Sequence, residues 1–162
     1  MHNLLAGTVG GVDELRLDRQ VCFALYAASR AVTQLYRPLL EPLGLTYPQY
    51  LAMLVLWERG PVTVKELGTA LDLDSGTLSP LLKRLGAAGL VTRERRAADE
   101  RSVEVALTAA GQELKTRAAG VPRSIAKATG LRAAELTELR RNLTALTRVV
   151  GEIQLDPDKN ES

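Results

Sequence analysis

The chain has one cysteine and four tyrosines, and all five lie between positions 22 and 50. Cys22 falls near the start of a predicted helix, and Tyr26 follows one turn later on the same helix face. A helix N-terminus favours the thiolate form of a cysteine, and phenol O–H groups directed at the sulfur favour it further. Since the thiolate is the form that attacks a peroxide, this pattern indicates a redox-sensitive thiol. A buried, unreactive cysteine among core tyrosines is the alternative interpretation, and the residues alone leave both open.

A second group of polar residues follows two short predicted helices. Thr63 and Glu66 form a capping-box pattern at the start of the first helix, Val64–Leu71, and Asp74 or Ser75 caps the second. Four leucines between positions 78 and 85 line one face of this second helix. The opposite face carries hydroxyl and cationic groups, which suit the base edges and phosphates of a DNA major groove. Its members are Ser75, Thr77, Ser79, Lys83 and Arg84.

Two predicted strands, Leu90–Arg95 and Ser102–Leu107, come next and form a hairpin with a charged loop at residues 96–101. Between positions 83 and 101 there are six basic and three acidic residues. A thin basic hairpin suits the minor groove, whose potential attracts arginine. A solvated hairpin is the alternative that charge alone favours, but the order of two short helices and a basic hairpin favours DNA. The basic candidates are Arg93, Arg95, Arg96 and Arg101.

Longer predicted helices flank this region and position it. Apolar residues from Leu17 to Leu39 recur at three- and four-residue spacing and predict one long helix, broken by Pro38, Pro42 and Gly44. A second helix is expected from Thr46 to Gly60, with Pro48 in its first turn.

After the hairpin, Thr108 is expected to cap a further helix, which Pro122 and Gly130 interrupt, and a final helical stripe covers Leu131–Ile153. The first and last helices carry broad apolar faces. These faces predict a homodimer with two-fold symmetry, and packing within one chain is the alternative.

Composition excludes several classes of function. The chain has 162 residues and a net charge of +2, so DNA binding must depend on local charge. With one histidine, His2, and one cysteine, the chain forms no internal disulfide or CxxC metal site, and most His-dependent nucleophile and metal arrangements are excluded. We expect no metal, no cofactor and no catalytic residues. Nothing in the sequence predicts a signal peptide or a bilayer span, which indicates a cytoplasmic protein with no membrane partner.

These residues resemble the MarR family of winged-helix repressors. Asp99-x-Arg101 followed by Leu107-Thr108, after a helix-turn-helix, is similar to the wing signature of that family. The segments 22–30, 36–40, 45–50 and 74–85 resemble the organic hydroperoxide resistance regulators of the one-cysteine type. The similarity covers roughly residues 15–153 and is most specific in the first two-thirds of the chain.

The resemblance implies a mainly helical fold with a small β-hairpin wing. In that organisation residues 1–12 are a flexible arm, residues 13–155 form a single domain, and residues 156–162 are a disordered tail. Within the domain, residues 13–45 and 108–155 supply the dimerisation helices, and residues 46–107 form the winged helix-turn-helix.

The resemblance further implies a dimeric repressor that binds a palindromic operator in double-stranded DNA and senses organic hydroperoxides through Cys22. Tyr36 and Tyr47 match tyrosines that reach the sulfur from the partner subunit, and Tyr26 matches one on the same helix. On the wing, Asp99 would orient Arg101 for the minor groove.

The chain lacks the second, resolving cysteine that some members of the subgroup carry. We therefore expect a sulfenic acid and then a mixed disulfide with a low-molecular-weight thiol; a Cys22–Cys22 link between subunits is the other route. Two alternative functions stay open. One is a MarR-type repressor induced by a non-covalent small-molecule ligand, and the other is a one-cysteine thiol peroxidase, in which the basic hairpin has no role.

Overall fold

The computed structural model describes residues 15–96 and 99–153, without the side chains of residue 96 and residues 99–101. The chain divides into two compact units, and the boundary between them falls after Val121. The mainly helical fold with a small β-sheet matches the sequence prediction. No helix among these residues has both the length and the apolar character required to cross a bilayer.

The first unit begins with a 3-10 turn, Leu17–Arg19, and then helix α1, Val21–Leu40. The helix therefore starts later than predicted. It also continues through Pro38, which the sequence analysis took as a break. Pro38 lies in the last turn, where its missing N–H removes a single hydrogen bond. The helix direction changes instead after a second 3-10 turn, Glu41–Leu43, at Gly44, whose φ of 68° is left-handed.

Helix α2 covers Tyr47–Arg59 and starts with a capping box between Thr46 and Gln49. Helix α3, Val64–Leu71, starts with the predicted Thr63–Glu66 box. Helix α4 is Ser75–Ala87, and its N-cap is Asp74. Each of these starts is set by side chains within three residues of the helix.

The sheet has three antiparallel strands in the order β1-β3-β2. Strand β1 is Val62–Thr63, β2 is Val91–Arg96 and β3 is Asp99–Leu107. The hairpin is therefore longer than predicted, since pairing extends to Arg96 and Asp99 where the sequence suggested a loop. Strands pair through their backbone N–H and C=O groups, so the ladder extends past the alternating apolar residues on which the prediction was based. Strand β1 was not predicted, because two residues are too short for a periodic signal.

The core of the first unit lies between α2, α3, α4 and the sheet. Its fully buried side chains include Tyr50, Met53, Leu67, Leu82 and Val105. Helix α5, Ala109–Ala118, is tied to this core because Trp57 Nε1 donates to the Gly111 carbonyl at 2.9 Å.

Helix α6, Val121–Thr129, begins at the boundary between the units and has Pro122 in its first turn, where proline is well tolerated. Helix α7, Ala133–Glu152, follows within the second unit and starts two residues later than predicted. No residue of α7 is buried, and its apolar side chains recur at helical spacing on an exposed face. The exposed members are Leu139, Leu143, Leu146, Val149 and Val150.

Candidate thiol site and nucleic-acid interface

Cys22 is the second residue of α1, and its side chain is exposed. The N-cap residue, Gln20, forms no side-chain hydrogen bond to the first turn. Cys22 therefore lies in the first turn of the helix, where the backbone N–H groups have no acceptor within the helix. The alternative of a buried cysteine does not apply to the isolated chain.

Tyr26 lies one turn after Cys22 and is 58% exposed. Arg30 Nη1 donates a hydrogen bond to the Tyr26 hydroxyl at 3.1 Å, and its guanidinium carbon is 5.5 Å from the ring centroid. Since the phenol oxygen accepts from Arg30, its own proton stays available for another acceptor. The Tyr26 phenol is therefore able to accept from Arg30 and to donate to a further acceptor.

The structure brings Tyr36 of α1 and Tyr47 of α2 together. Their ring centroids are 4.6 Å apart, and Tyr50 joins the cluster with its ring 5.8 Å from Tyr36. Burial raises the pKa of all three phenols above the usual value of 10.0. The phenols therefore remain protonated at neutral and mildly alkaline pH and are able to donate.

Tyr50 is the member of this cluster that the sequence analysis did not select. It lies one helical turn after Tyr47, and that spacing was the available signal. Its ring is buried at 2% exposure and contacts Trp57 edge-on, so it connects the cluster to the core.

The cluster does not reach Cys22 within one chain. Fourteen residues of continuous helix separate Cys22 from Tyr36, which corresponds to about 21 Å at 1.5 Å per residue. Beside Tyr47, the last turns of α1 and the start of α2 border a largely apolar cavity of about 570 Å³, with Arg37 and Glu41 on its wall.

Helix α4 has the two faces that its sequence predicts. Leu78, Leu81, Leu82 and Leu85 are buried. All five polar candidates are exposed on the other side, and they are Ser75, Thr77, Ser79, Lys83 and Arg84. At the start of the helix the Asp74 carboxylate accepts hydrogen bonds from the Thr77 N–H at 2.8 Å and the Thr77 hydroxyl at 3.2 Å. The bond from the Thr77 N–H is the main cause of a lowered Asp74 pKa.

The hairpin exposes its described basic side chains to solvent. Arg93 and Arg95 of β2 are exposed. The side chains of Arg96, Asp99 and Arg101, which the sequence analysis also assigned to DNA, lie outside the described residues. A helix with an exposed polar face beside a basic hairpin has the geometry of a protein that places a helix in one DNA groove and a hairpin in the next.

Comparison with known proteins agrees with this geometry. The family profile described as transcriptional regulator SarA/Rot matches residues 34–118. The organic hydroperoxide resistance transcriptional regulator of Bacillus subtilis is 48% identical over 134 residues, covering 83% of this chain and 91% of the relative.

Two solved structures of AbfR from Staphylococcus epidermidis are also similar. Reduced AbfR bound to DNA superposes with a TM-score of 0.70 at 36% identity, covering 87% of this chain and 99% of that chain. Overoxidised AbfR bound to DNA gives 0.69 at 36% identity, covering 85% and 97%. The chain belongs to the MarR family of winged-helix transcriptional regulators, in the subgroup of organic hydroperoxide resistance regulators.

Proposed function

We propose that this chain represses transcription as a homodimer that binds a palindromic operator, and that it releases the operator when an organic hydroperoxide oxidises Cys22. The name of the Bacillus subtilis relative and the DNA-bound structures of AbfR support this function. A repressor acts where the DNA lies, so the proposed location is the cytoplasm. A thiol peroxidase is not favoured, because the similar curated proteins are transcriptional regulators.

The observation that carries the proposal is the division of the thiol site along α1. Cys22 is at one end of this helix and Tyr36, with Tyr47, is at the other. An antiparallel pairing of two copies of α1 centred on Ser29, midway between Cys22 and Tyr36, places Cys22 level with the partner subunit's Tyr36. The site is thus complete only in a dimer, and each dimer holds two sites.

The exposure of α1 and α7 supports such a dimer. Nearly every residue of α1 is exposed in the single chain, including Val21, Phe23, Val32 and Leu35. A helix of a small chain that exposes an apolar face is normally covered by a partner. Helix-turn-helix dimers bind half-sites whose centres are roughly 34–36 Å apart, so we expect the same separation between the two α4 helices of the proposed dimer.

The proposed chemistry begins with the Cys22 thiolate. The sulfur attacks the outer oxygen of the hydroperoxide, the O–O bond breaks, and the alkoxide leaves and takes up a proton to become an alcohol. The product is a sulfenic acid. A low-molecular-weight thiol then attacks this sulfur, water leaves, and a mixed disulfide remains.

Phenols that stay protonated suit the first step, because they donate to the thiolate and to the developing alkoxide. The oxidised sulfur is larger and differs in polarity, and a packed helix junction does not accept it without rearrangement. A hundredfold loss of DNA affinity corresponds to about 2.7 kcal/mol, which one such rearrangement can supply.

The test compares wild type with Cys22→Ser, each bound to the DNA upstream of its own coding sequence, before and after one equivalent of an organic hydroperoxide. We expect wild type to release the DNA and Cys22→Ser to remain bound. Intact mass after addition of peroxide and a small thiol should show a one-thiol adduct on the wild type alone. Retention of both proteins on the DNA would overturn Cys22 as the switch. A covalent dimer without adduct would overturn only the small-thiol step.

Induction by a non-covalent ligand in the cavity beside Tyr47 is the alternative function, and the comparisons do not favour it, because one relative is an organic hydroperoxide resistance regulator. In that case Cys22→Ser still responds to the inducer, and peroxide leaves the wild type on the DNA. The same pair of proteins therefore separates the two candidates.

A further inference from the structure

A furrow with an apolar floor and several cationic and hydroxyl side chains separates the two candidate DNA-contacting elements. It lies between α3, α4 and the hairpin and has a volume of about 470 Å³. Its polar lining includes Lys65 from α3, Ser75 and Ser79 from α4, and Arg93 and Ser102 from the hairpin. Lys65 and Ser102 do not belong to the polar face of α4 or to the set of basic hairpin residues.

The strand register makes this furrow basic. Arg93 lies opposite Val105, whose side chain is buried, so both residues point to the inner face of the hairpin. Glu94 lies opposite Glu104 on the outer face, since successive strand residues alternate. No residue that lines the furrow within the described part of the chain carries a carboxylate.

The cations of the furrow make no contact with a charged side chain in the part of the chain whose side chains the structure describes. In residues 15–96 and 99–153, neither the Lys65 ammonium nor the Arg93 guanidinium has an ion-pair partner. Within the described residues, two cations without an ion-pair partner and four hydroxyl groups thus surround one space.

The geometry of B-DNA identifies what passes through that space. The major groove is about 12 Å wide and the minor groove about 6 Å, and one sugar–phosphate backbone separates them. When α4 enters the major groove and the hairpin tip enters the adjacent minor groove, this backbone must cross between α4 and the hairpin.

We propose that the furrow holds the sugar–phosphate backbone between the two grooves, with Lys65 and Ser102 as phosphate-binding residues. This inference rests on the proposed DNA binding and extends it to an element, α3, outside the recognition helix and the wing. It also assigns Ser79 and Arg93 to the phosphates rather than to base edges. The furrow consequently fixes the position of the protein on the duplex without reading its sequence.

The test measures the affinity of Lys65→Gln for two duplexes, the DNA upstream of its own coding sequence and a scrambled version, over a range of salt concentrations. We expect affinity for both duplexes to fall by a similar factor, about five- to tenfold near 0.1 M salt, and the slope of log K against log salt to become shallower by about 0.9. Lys65→Arg should restore the slope. Ser102→Ala removes no charge, so it should lower affinity and leave the slope unchanged.

Lys127→Gln is the matched control, because it makes the same change in net charge at an exposed position of α6 outside the furrow. An equal effect of Lys127→Gln would attribute the loss to net charge and overturn the assignment. So would an unchanged slope for Lys65→Gln, or a loss confined to the natural duplex. A wild-type protein that binds neither duplex would overturn the proposed function as well, whereas normal wild-type binding with an unaffected Lys65→Gln overturns this assignment alone.

Discussion

Tyr36 and Tyr47 contact each other with ring centroids 4.6 Å apart, although they belong to different helices and Tyr36 is about four helical turns from the thiol on its own helix. Both residues are half-buried, and burial raises the pKa values of their phenols above 10.0, so the hydroxyl groups stay protonated at neutral and mildly alkaline pH. The two phenols are thus preformed hydrogen-bond donors, and the Cys22 sulfur of the same chain is too far away to accept from them. This relationship is what makes a second subunit necessary in the proposed mechanism.

The first prediction concerns these hydroxyl groups. Tyr36→Phe should keep DNA binding in the reduced state and slow the oxidation of Cys22 by about tenfold, because a hydrogen bond to a charged group contributes about 1.5–3 kcal/mol. The rate is measured by following loss of the free thiol under a limiting amount of organic hydroperoxide. Tyr50→Phe is the control, since it removes a hydroxyl from the same cluster but not from the proposed sulfur contacts. Oxidation of Tyr36→Phe at the wild-type rate would contradict the assigned role.

A second prediction follows from the raised phenol pKa values. The folded chain holds these phenols neutral above pH 10.0, at which they ionise in the unfolded chain. Their contribution to the free energy of unfolding is therefore complete below pH 10 and is lost as pH rises through the higher folded-state values. Urea unfolding between pH 8.5 and 11 should show declining stability at the alkaline end. A double Tyr36→Phe, Tyr47→Phe protein should show a shallower decline, and an identical curve would argue against burial as the cause.

The third prediction concerns the joint between α4, the hairpin and α5. A Cβ atom at Gly111 would overlap the carbonyl oxygen of Leu90. The Leu90 carbonyl also accepts the Thr108 N–H, and the Thr108 hydroxyl donates to the Gly89 carbonyl at 2.6 Å. Gly111→Ala should therefore destabilise the fold by about 1–3 kcal/mol, as overpacking of a close contact does, and should weaken DNA binding by moving the hairpin.

Gly86→Ala is the matched control for this joint. Gly86 lies within α4, and its nearest obstacle is the Val91 carbonyl oxygen at 3.8 Å, an ordinary contact. The substitution should stabilise the protein by about 0.5–1 kcal/mol, because alanine loses less backbone freedom than glycine in a helix. Urea midpoints of both variants provide the comparison, and equal destabilisation by both would disprove the steric explanation.

The fourth prediction concerns the cap of the recognition helix. Asp74→Ala should loosen the first turn of α4, which carries Ser75 and Thr77, and so reduce DNA affinity in the reduced state. Asp74→Asn keeps a capping oxygen and should retain most of the affinity.

The hydrogen bonds from Thr77 lower the Asp74 pKa below its usual 3.8, so the capping contribution is present above that pH and is lost as pH falls through the lowered value. When pH is lowered, the helicity of the wild type and the helicity of Asp74→Asn should therefore differ only below about pH 4. Divergence near neutrality would contradict this account.

Local signals allowed the helix-turn-helix to be predicted closely. The Thr63–Glu66 box and the Asp74 cap act over three residues, and both appear in the structure as expected. The four leucines of α4 also face the core because a helical period of 3.6 residues determines which side chains share a face. Two predictions from local patterns were wrong. Pro38 does not end α1, because the last turn of a helix tolerates proline, and β2 and β3 pair beyond the residues that alternate in polarity.

The sequence by itself determined the capped starts of α2 to α5, the two faces of α4, the basic character of the hairpin and the exclusion of most metal and nucleophile sites. Only the tertiary structure decided that Tyr36, Tyr47 and Tyr50 form one cluster, that Cys22 lies apart from it, and that Lys65 shares a furrow with the hairpin. The physical reason is the distance along the chain over which each interaction acts. Caps and face periodicity depend on residues within about one helical turn, whereas contacts between residues far apart in the chain depend on how all the intervening elements pack.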